Sequence, residues 1–220
     1  RLGRELQGLT IDKGGPIIGV QVENEYGSYG NDKEYLLSVR NTLREAGFDF
    51  MFYTSDGSNR MMLDAGTLED VLPTVNFSSD PEGQFRNLDN FRKNIPHMNG
   101  EFWSGWFTQW GHEKWGGQDL NRQKGDVRWM LENGKSFNFY MFHGGTNFGF
   151  NSGANWYNGR YWADVTSYDC GAPLGEDGSP TEAFFVFRDL LKEHQSPGTS
   201  LPELPVPVRT MAIAEIQLTK

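Results

Sequence analysis

The sequence predicts an α/β fold of parallel strands, and three observations carry that reading. Short apolar runs alternate with amphipathic stretches along most of the chain, the pattern of repeated β-α units. The stretch Gly14-Gly15-Pro16-Ile17-Ile18-Gly19-Val20-Gln21-Val22-Glu23-Asn24-Glu25-Tyr26-Gly27 launches a strand of the buried type and ends it in two carboxylates and an amide. A hydrophobic core asks for no acid there, whereas barrels of parallel strands place catalytic groups at those C-terminal tips. Finally, Arg1-Leu2-Gly3-Arg4 reads as the middle of a helix. Five parallel strands would make either an open sheet or part of an eight-stranded barrel. A chain that opens in mid-helix favours the second, an incomplete (β/α)8 TIM barrel.

The elements follow in order. A Gly-Gly-Pro breaker precedes the first strand, about residues 17–22, rich in β-branched side chains. A helix is expected over 32–46, where Tyr35, Leu36, Val39, Leu43 and Ala46 share one face. Asn31 or Asp32 can cap its start through a side-chain oxygen, and Gly47 can close it in a left-handed turn. A second strand over 49–54 runs into Ser55-Asp56-Gly57, and a short helix near 60–65 leads to a third strand over 74–77. The next helix, 83–94, stops before Pro96, and the fourth strand, 97–103, is weak by propensity. A helix over 119–132 carries Leu120, Val127, Met130 and Leu131, and the fifth strand spans 136–142. A long Gly- and Asn-rich loop then reaches a last amphipathic helix, 181–193, introduced by Asp177-Gly178-Ser179-Pro180. Beyond it, Ser196-Pro197-Gly198 and Leu201-Pro202-Glu203-Leu204-Pro205-Val206-Pro207 exclude regular helix and central strand. The expected division is a barrel part over 1–195 and a Pro-rich linker leaving it over 196–220.

Charge narrows the partners. A net charge of −9, with 29 acidic against 20 basic residues and no basic run, excludes nucleic acid, which would need a positive stripe. No apolar run approaches the length of a membrane span. The one cysteine, Cys170, excludes an internal disulfide and a Cys-based zinc cluster. His143 and His112 lack metal-ligand spacing, so neither a metal nor another cofactor is expected. Gly144-Gly145-Thr146 lacks the ending of a phosphate loop. Seven Trp and eight Tyr offer flat faces suited to sugar rings, although most aromatics, Trp106, Trp110 and Trp115 among them, read as core or rim packing. Asn76-Phe77-Ser78 forms a glycosylation triplet of a kind that arises often by chance. There is no signal peptide and no initiating Met, so a piece of a longer protein is expected.

Two carboxylates at expected strand tips carry the chemistry. Glu25 closes the first strand, and Glu101 lies on the fourth within Asn99-Gly100-Glu101-Phe102-Trp103-Ser104-Gly105-Trp106. Strands of one barrel can bring both over the same mouth, and a carboxyl pair is what glycoside hydrolysis requires. One stays protonated to serve the departing oxygen, and the other, ionised, attacks carbon or activates water. Strict alternation would point Asn24 away from Glu25, so both can face the site only if the strand tip bulges.

At these residues the chain resembles the glycoside hydrolase family 35 β-galactosidases. Residues 14–26 look like the segment in which Asn-Glu closes the fourth barrel strand. Glu101-Phe102-Trp103-Ser104-Gly105-Trp106 resembles the nucleophile segment of the seventh. Tyr140-Met141-Phe142-His143-Gly144-Gly145-Thr146-Asn147-Phe148-Gly149 is similar to the eighth strand, and Thr166-Ser167-Tyr168-Asp169 with Ala172-Pro173-Leu174 to the loop beyond it.

The resemblance implies strands 4 to 8 of the barrel and a retaining exo-β-galactosidase acting on terminal non-reducing β-D-galactosyl residues of an oligosaccharide or glycoconjugate. It implies Glu25 as general acid/base and Glu101 as nucleophile. Asn24 would hold the galactose 2-hydroxyl, Tyr140 would hydrogen-bond near Glu101, Glu23 would line the pocket or tune its charge, and Trp103 would offer a ring to the sugar. A lysosomal or secreted, extracellular location comes with the family. Cys170 stands where many members carry a sugar-contacting tyrosine, a contact then lost or supplied by Tyr168. Strands expected ahead of residue 1 would be needed for catalysis, so this piece alone is expected to be inactive. Two alternatives stay open, an exo-β-glucosaminidase built on the same machinery and a galactose-binding homologue without catalysis.

Overall fold

A computed structural model describes residues 1–113, 116–206 and 211–217, so Trp115 and the stretches 207–210 and 218–220 of the expected linker lie outside the described residues. The chain forms two units, Arg1–Trp103 with Asp119–Tyr140, and Ser104–Gln118 with Met141–Lys220.

The first unit is built on five parallel strands, β1 (Val20–Gln21), β2 (Phe52–Gly57), β3 (Leu72–Phe77), β4 (Met98–Trp103) and β5 (Ser136–Tyr140), paired in sequence order. Helix α1 (Leu2–Leu6) precedes them, and α2 (Lys33–Glu45), α3 (Arg60–Gly66), α4 (Pro81–Phe91) and α5 (Leu120–Glu132) connect them. Parallel strands joined by right-handed crossovers that always step the same way leave every helix on one face. The other face can be covered only by closing the sheet on itself, and the unit is an incomplete (β/α)8 barrel.

Capping chemistry fixes where the helices begin. Asp32 accepts the Tyr35 N–H at 3.0 Å at the start of α2, Asn59 accepts Met62 N–H at 2.9 Å for α3, and Asp119 accepts Asn121 N–H at 2.9 Å for α5. Each such cap contributes about 1 kcal/mol. Gly47, at φ +102°, ends α2 in the conformation that a Cβ would oppose.

The core lies between sheet and helices. Val22, Phe48, Phe52, Leu68 and Val71 bury Leu36 of α2 completely. Farther along, Phe77 meets Phe85 of α4 edge-on at 5.4 Å and Phe102 at 6.4 Å, and Phe102 meets Phe139 at 5.8 Å. These aromatics are core, as the composition predicts.

Strand limits differ from the expected ones where polar residues pair. β2 runs on through Ser55, Asp56 and Gly57, all registered against β3, because the buried Ser55 finds its partner in Asn76 of β3 and the buried Asp56 accepts the Gly27 N–H. β1 shrinks to two residues, since the chain beyond Gln21 leaves regular geometry and Ile18 is exposed.

In the second unit the expected long loop contains a hairpin, β6 (Ala154–Tyr157) and β7 (Arg160–Ala163). Its turn, Asn158-Gly159, has φ of +52° and +70°, the left-handed pair that Asn-Gly adopts in two-residue hairpins. Tyr157 stacks on Trp162 at 5.4 Å, and the Arg160 guanidinium lies 4.1 Å over the same indole. Helix α6 (Glu182–Glu193) buries Phe187 and Leu190. Residues 196–206 contain no helix or strand. Among the described residues no helix is long and apolar enough to cross a membrane.

Candidate active site

Two irregular strand tips turn the acids toward the face of the sheet that lies away from the helices of the first unit. Val22 N–H bonds Tyr53 O at 2.8 Å and Glu25 N–H bonds Ser55 O at 2.9 Å, so three steps along the first segment match two along β2. The extra residue is the bulge that the Asn24–Glu25 order requires. Glu23 and Glu25 absorb it in left-handed backbone, at φ +62° and +51°. Backbone of that kind in glutamate is uncommon and concentrates at functional sites.

The second irregularity lies on β4. Val75 pairs with Asn99 but Asn76 pairs with Glu101, so Gly100 is the extra residue. An unbroken register would set Glu101 against Phe77, facing the helices; the bulge sets it against Asn76 instead. Only glycine fits, because a Cβ at position 100 would collide with Ser55 Oγ and stand 2.6 Å from Thr74 Oγ1.

Asn76, itself buried, ties the two tips together. Its Nδ2 donates to Glu25 Oε1 at 2.9 Å, and its Oδ1 accepts the Ser55 hydroxyl at 2.6 Å. Glu101 Oε2 accepts the Trp103 indole N–H at 3.0 Å. Burial pushes the Glu101 carboxyl above its ordinary pKa, the indole N–H opposes that, and the charge of Glu25 adds to it. Burial raises the Tyr53 phenol as well, and the Glu101 charge adds to that shift.

The other expected residues divide. Asn24 is exposed, with its Oδ1 held by Gln21 Nε2 at 2.9 Å. Tyr140 stands opposite Trp103 in the register, exposed, and among the described residues it makes no hydrogen bond to Glu101. Glu23 is drawn elsewhere. Its carboxylate accepts the Tyr35 hydroxyl of α2 and the Asn24 N–H, because the parity it would share with Glu25 ends where the left-handed residues begin.

Reading the sequence missed Ser55, Asn76 and Gly100. The signal was present, since a polar residue in the buried run Thr74-Val75-Asn76-Phe77 needs a partner. As a glycosylation triplet Asn76 fails, being buried and bonded to Glu25. Among the described residues no group of three or more His, Cys, Asp or Glu could hold a metal. In the second unit Cys170 is buried, which pushes its thiol up to about 11. Tyr168 lies against Phe107 at 6.1 Å.

A barrel-type sheet with carboxylates at the tips of two of its strands, beyond β1 and on β4, is the framework of a glycoside hydrolase site. The chain belongs to glycosyl hydrolases family 35, whose family model matches residues 1–194. It is 43% identical over 217 residues to a beta-galactosidase of Xanthomonas manihotis, covering 96% of this chain and 36% of that protein. Beta-galactosidase 1 of Dictyostelium discoideum is 36% identical over 98% of the chain and 35% of its own length. Human beta-galactosidase-1-like protein 2 is 42% identical over 82% of the chain and 28% of its own length. The chain thus spans about a third of the curated relatives it matches.

Proposed function

We propose that this chain carries both catalytic carboxylates of a retaining exo-β-galactosidase. The observation that supports the pairing most is Asn76, bonded to Glu25 and registered opposite Glu101. In the first step a Glu101 carboxylate oxygen attacks the anomeric carbon as the glycosidic C–O bond breaks, and Glu25 gives its proton to the departing oxygen. In the second, Glu25 takes a proton from water, the water oxygen bonds to the anomeric carbon, and Glu101 leaves as carboxylate.

The surroundings suit those roles. Asn76 fixes Glu25 through a neutral amide and brings no cation against its carboxyl. The Trp103 N–H stabilises Glu101 as an anion, and the same indole offers a face to the sugar. Asn24 keeps an amide NH2 without a protein partner among the described residues, and that group serves the 2-hydroxyl. Tyr140 borders the same face. The relatives' names favour galactosides over glucosaminides as substrates, and their family favours a lysosomal or secreted enzyme.

In the full-length protein, Glu101→Gln should abolish turnover of an aryl β-galactoside; unchanged turnover would refute the assignment. Faster hydrolysis of the matching β-glucosaminide would overturn the substrate reading, and galactose binding without any hydrolysis would overturn the catalytic one.

A further inference from the structure

Behind the Glu25 turn stands a carboxylate that the proposed reaction does not use. Asp56, on β2, is 1% exposed, and its Oδ1 accepts the Gly27 N–H at 2.8 Å. Gly27 lies in the short helical turn Tyr26–Ser28 that Glu25 begins. Two successive residues of β2 therefore grip this turn, Ser55 by its carbonyl on the Glu25 N–H and Asp56 by its side chain on Gly27.

The space around Asp56 is closed by glycines. A Cβ at Gly66 of α3 would collide with its carboxylate oxygens, and one at Gly27 would meet the Met62 carbonyl and stand 2.9 Å from Oδ1. Lys33 of α2 donates to Ala65 O at 3.0 Å and to the carbonyls of Asp64 and Thr67, bridging α2 to the end of α3. Its charge also acts on Asp56, with Asp64 as its second anionic neighbour.

On the reading that Glu25 moves the proton, we propose that Asp56 is its positioning residue. By clamping the Gly27 N–H, its carboxylate holds Glu25 in left-handed backbone with the carboxyl against Asn76. Without that clamp the turn relaxes toward ordinary backbone and carries the Glu25 carboxyl away.

Burial pushes Asp56 up to about 6, against the pull of the Gly27 N–H and Lys33, while the Glu25 charge adds to the push. The clamp is accordingly stronger at neutral than at acid pH, since a neutral carboxyl is the weaker acceptor.

The test compares Asp56→Ala, Asp56→Asn and Glu25→Ala in the full-length protein on aryl β-galactosides with poor and with activated leaving groups. Asp56→Ala should lower kcat about tenfold on the poor leaving group and less than about threefold on the activated one, with KM little changed. Asp56→Asn, whose amide oxygen can still accept the Gly27 N–H, should recover most of that loss. Equal losses on both substrates, or no recovery in Asp56→Asn, would overturn the positioning role. An absence of leaving-group dependence in Glu25→Ala would instead overturn the acid/base reading beneath it. A readout outside catalysis is amide exchange across residues 24–29, expected to be faster in Asp56→Ala and near wild type in Asp56→Asn. If Asp56→Ala does not fold, Asp56→Asn serves alone: its Gly27 amide should exchange at close to the wild-type rate, and fast Gly27 exchange in a folded Asp56→Asn protein would contradict the clamp.

Discussion

Asn76 gives its side-chain N–H to Glu25 at 2.9 Å from the one position of β3 that pairs with Glu101. One residue thus links the two strand tips, by its side chain to Glu25 and by its place in the ladder to Glu101, and the Ser55 hydroxyl fixes the amide's orientation by occupying its oxygen.

Truncating that amide should be felt twice. Asn76→Ala leaves Ser55 and Glu25 without their partner in a buried setting, a loss of about 1–3 kcal/mol of stability. We expect it also to lower kcat most for aryl galactosides with poor leaving groups, since Glu25 loses its tether. Denaturant melts and a leaving-group series check both parts, and an equal effect on every leaving group would count against the tether.

Trp103→Phe keeps a ring but removes the N–H that stabilises the Glu101 anion. Burial already raises the Glu101 pKa, and the loss raises it further. On the proposal that Glu101 attacks as a carboxylate, kcat/KM should fall as pH drops and Glu101 takes up its proton. The acid limb of the pH profile should therefore move to higher pH in the variant. A limb that stays put, or moves down, would contradict the role.

Asp56 leaves a mark on stability with the opposite sign to a salt-bridged carboxylate. Its folded value of about 6 lies above the ordinary 3.8, so the folded state binds more protons between those values. Its contribution is greatest below about pH 4 and is lost as pH rises through 6. Relative to wild type, Asp56→Asn should gain on the order of 3 kcal/mol between pH 4 and pH 7. Urea melts of both proteins at several pH values measure that difference, and a constant difference would rule out the elevated value.

Gly100→Ala tests the β4 bulge. The added methyl would collide with Ser55 Oγ and crowd Thr74 Oγ1, costing about 1–3 kcal/mol as overpacking. Activity should fall by more than the lost stability explains, because the methyl presses on the residues that set Asn76 against Glu101. Wild-type activity in a folded Gly100→Ala protein would show that the tight approach is dispensable.

Much of this fold was legible because local chemistry and packing agree. Periodicity located α2 and α5 within a residue or two, and Asp32, one of two expected caps, begins the first. The limits of β1 and β2 were not legible, since pairing decides them and not propensity. The Asn158-Gly159 hairpin carried its signal openly, two left-handed positions between aromatic runs, inside a stretch whose glycine and asparagine content resembles a loop. At the site the glutamates stood out as charge at strand tips. Asn76 and Gly100 did not, because a buried amide bridge and a one-residue register shift arise from strands distant in sequence. That Glu23 does not keep the parity of Glu25 was hidden for the same reason, as alternation holds only while the backbone stays extended.

The most direct test of the central claim is a covalent trap. Full-length protein incubated with a 2-deoxy-2-fluoro-β-galactosyl fluoride, which slows the second displacement more than it prevents the first, is digested and its peptides weighed. The account predicts one added fluorogalactosyl group on the peptide containing Glu101 and none on that containing Glu25. Labelling at Glu25, or inactivation with no sugar on Glu101, would contradict it.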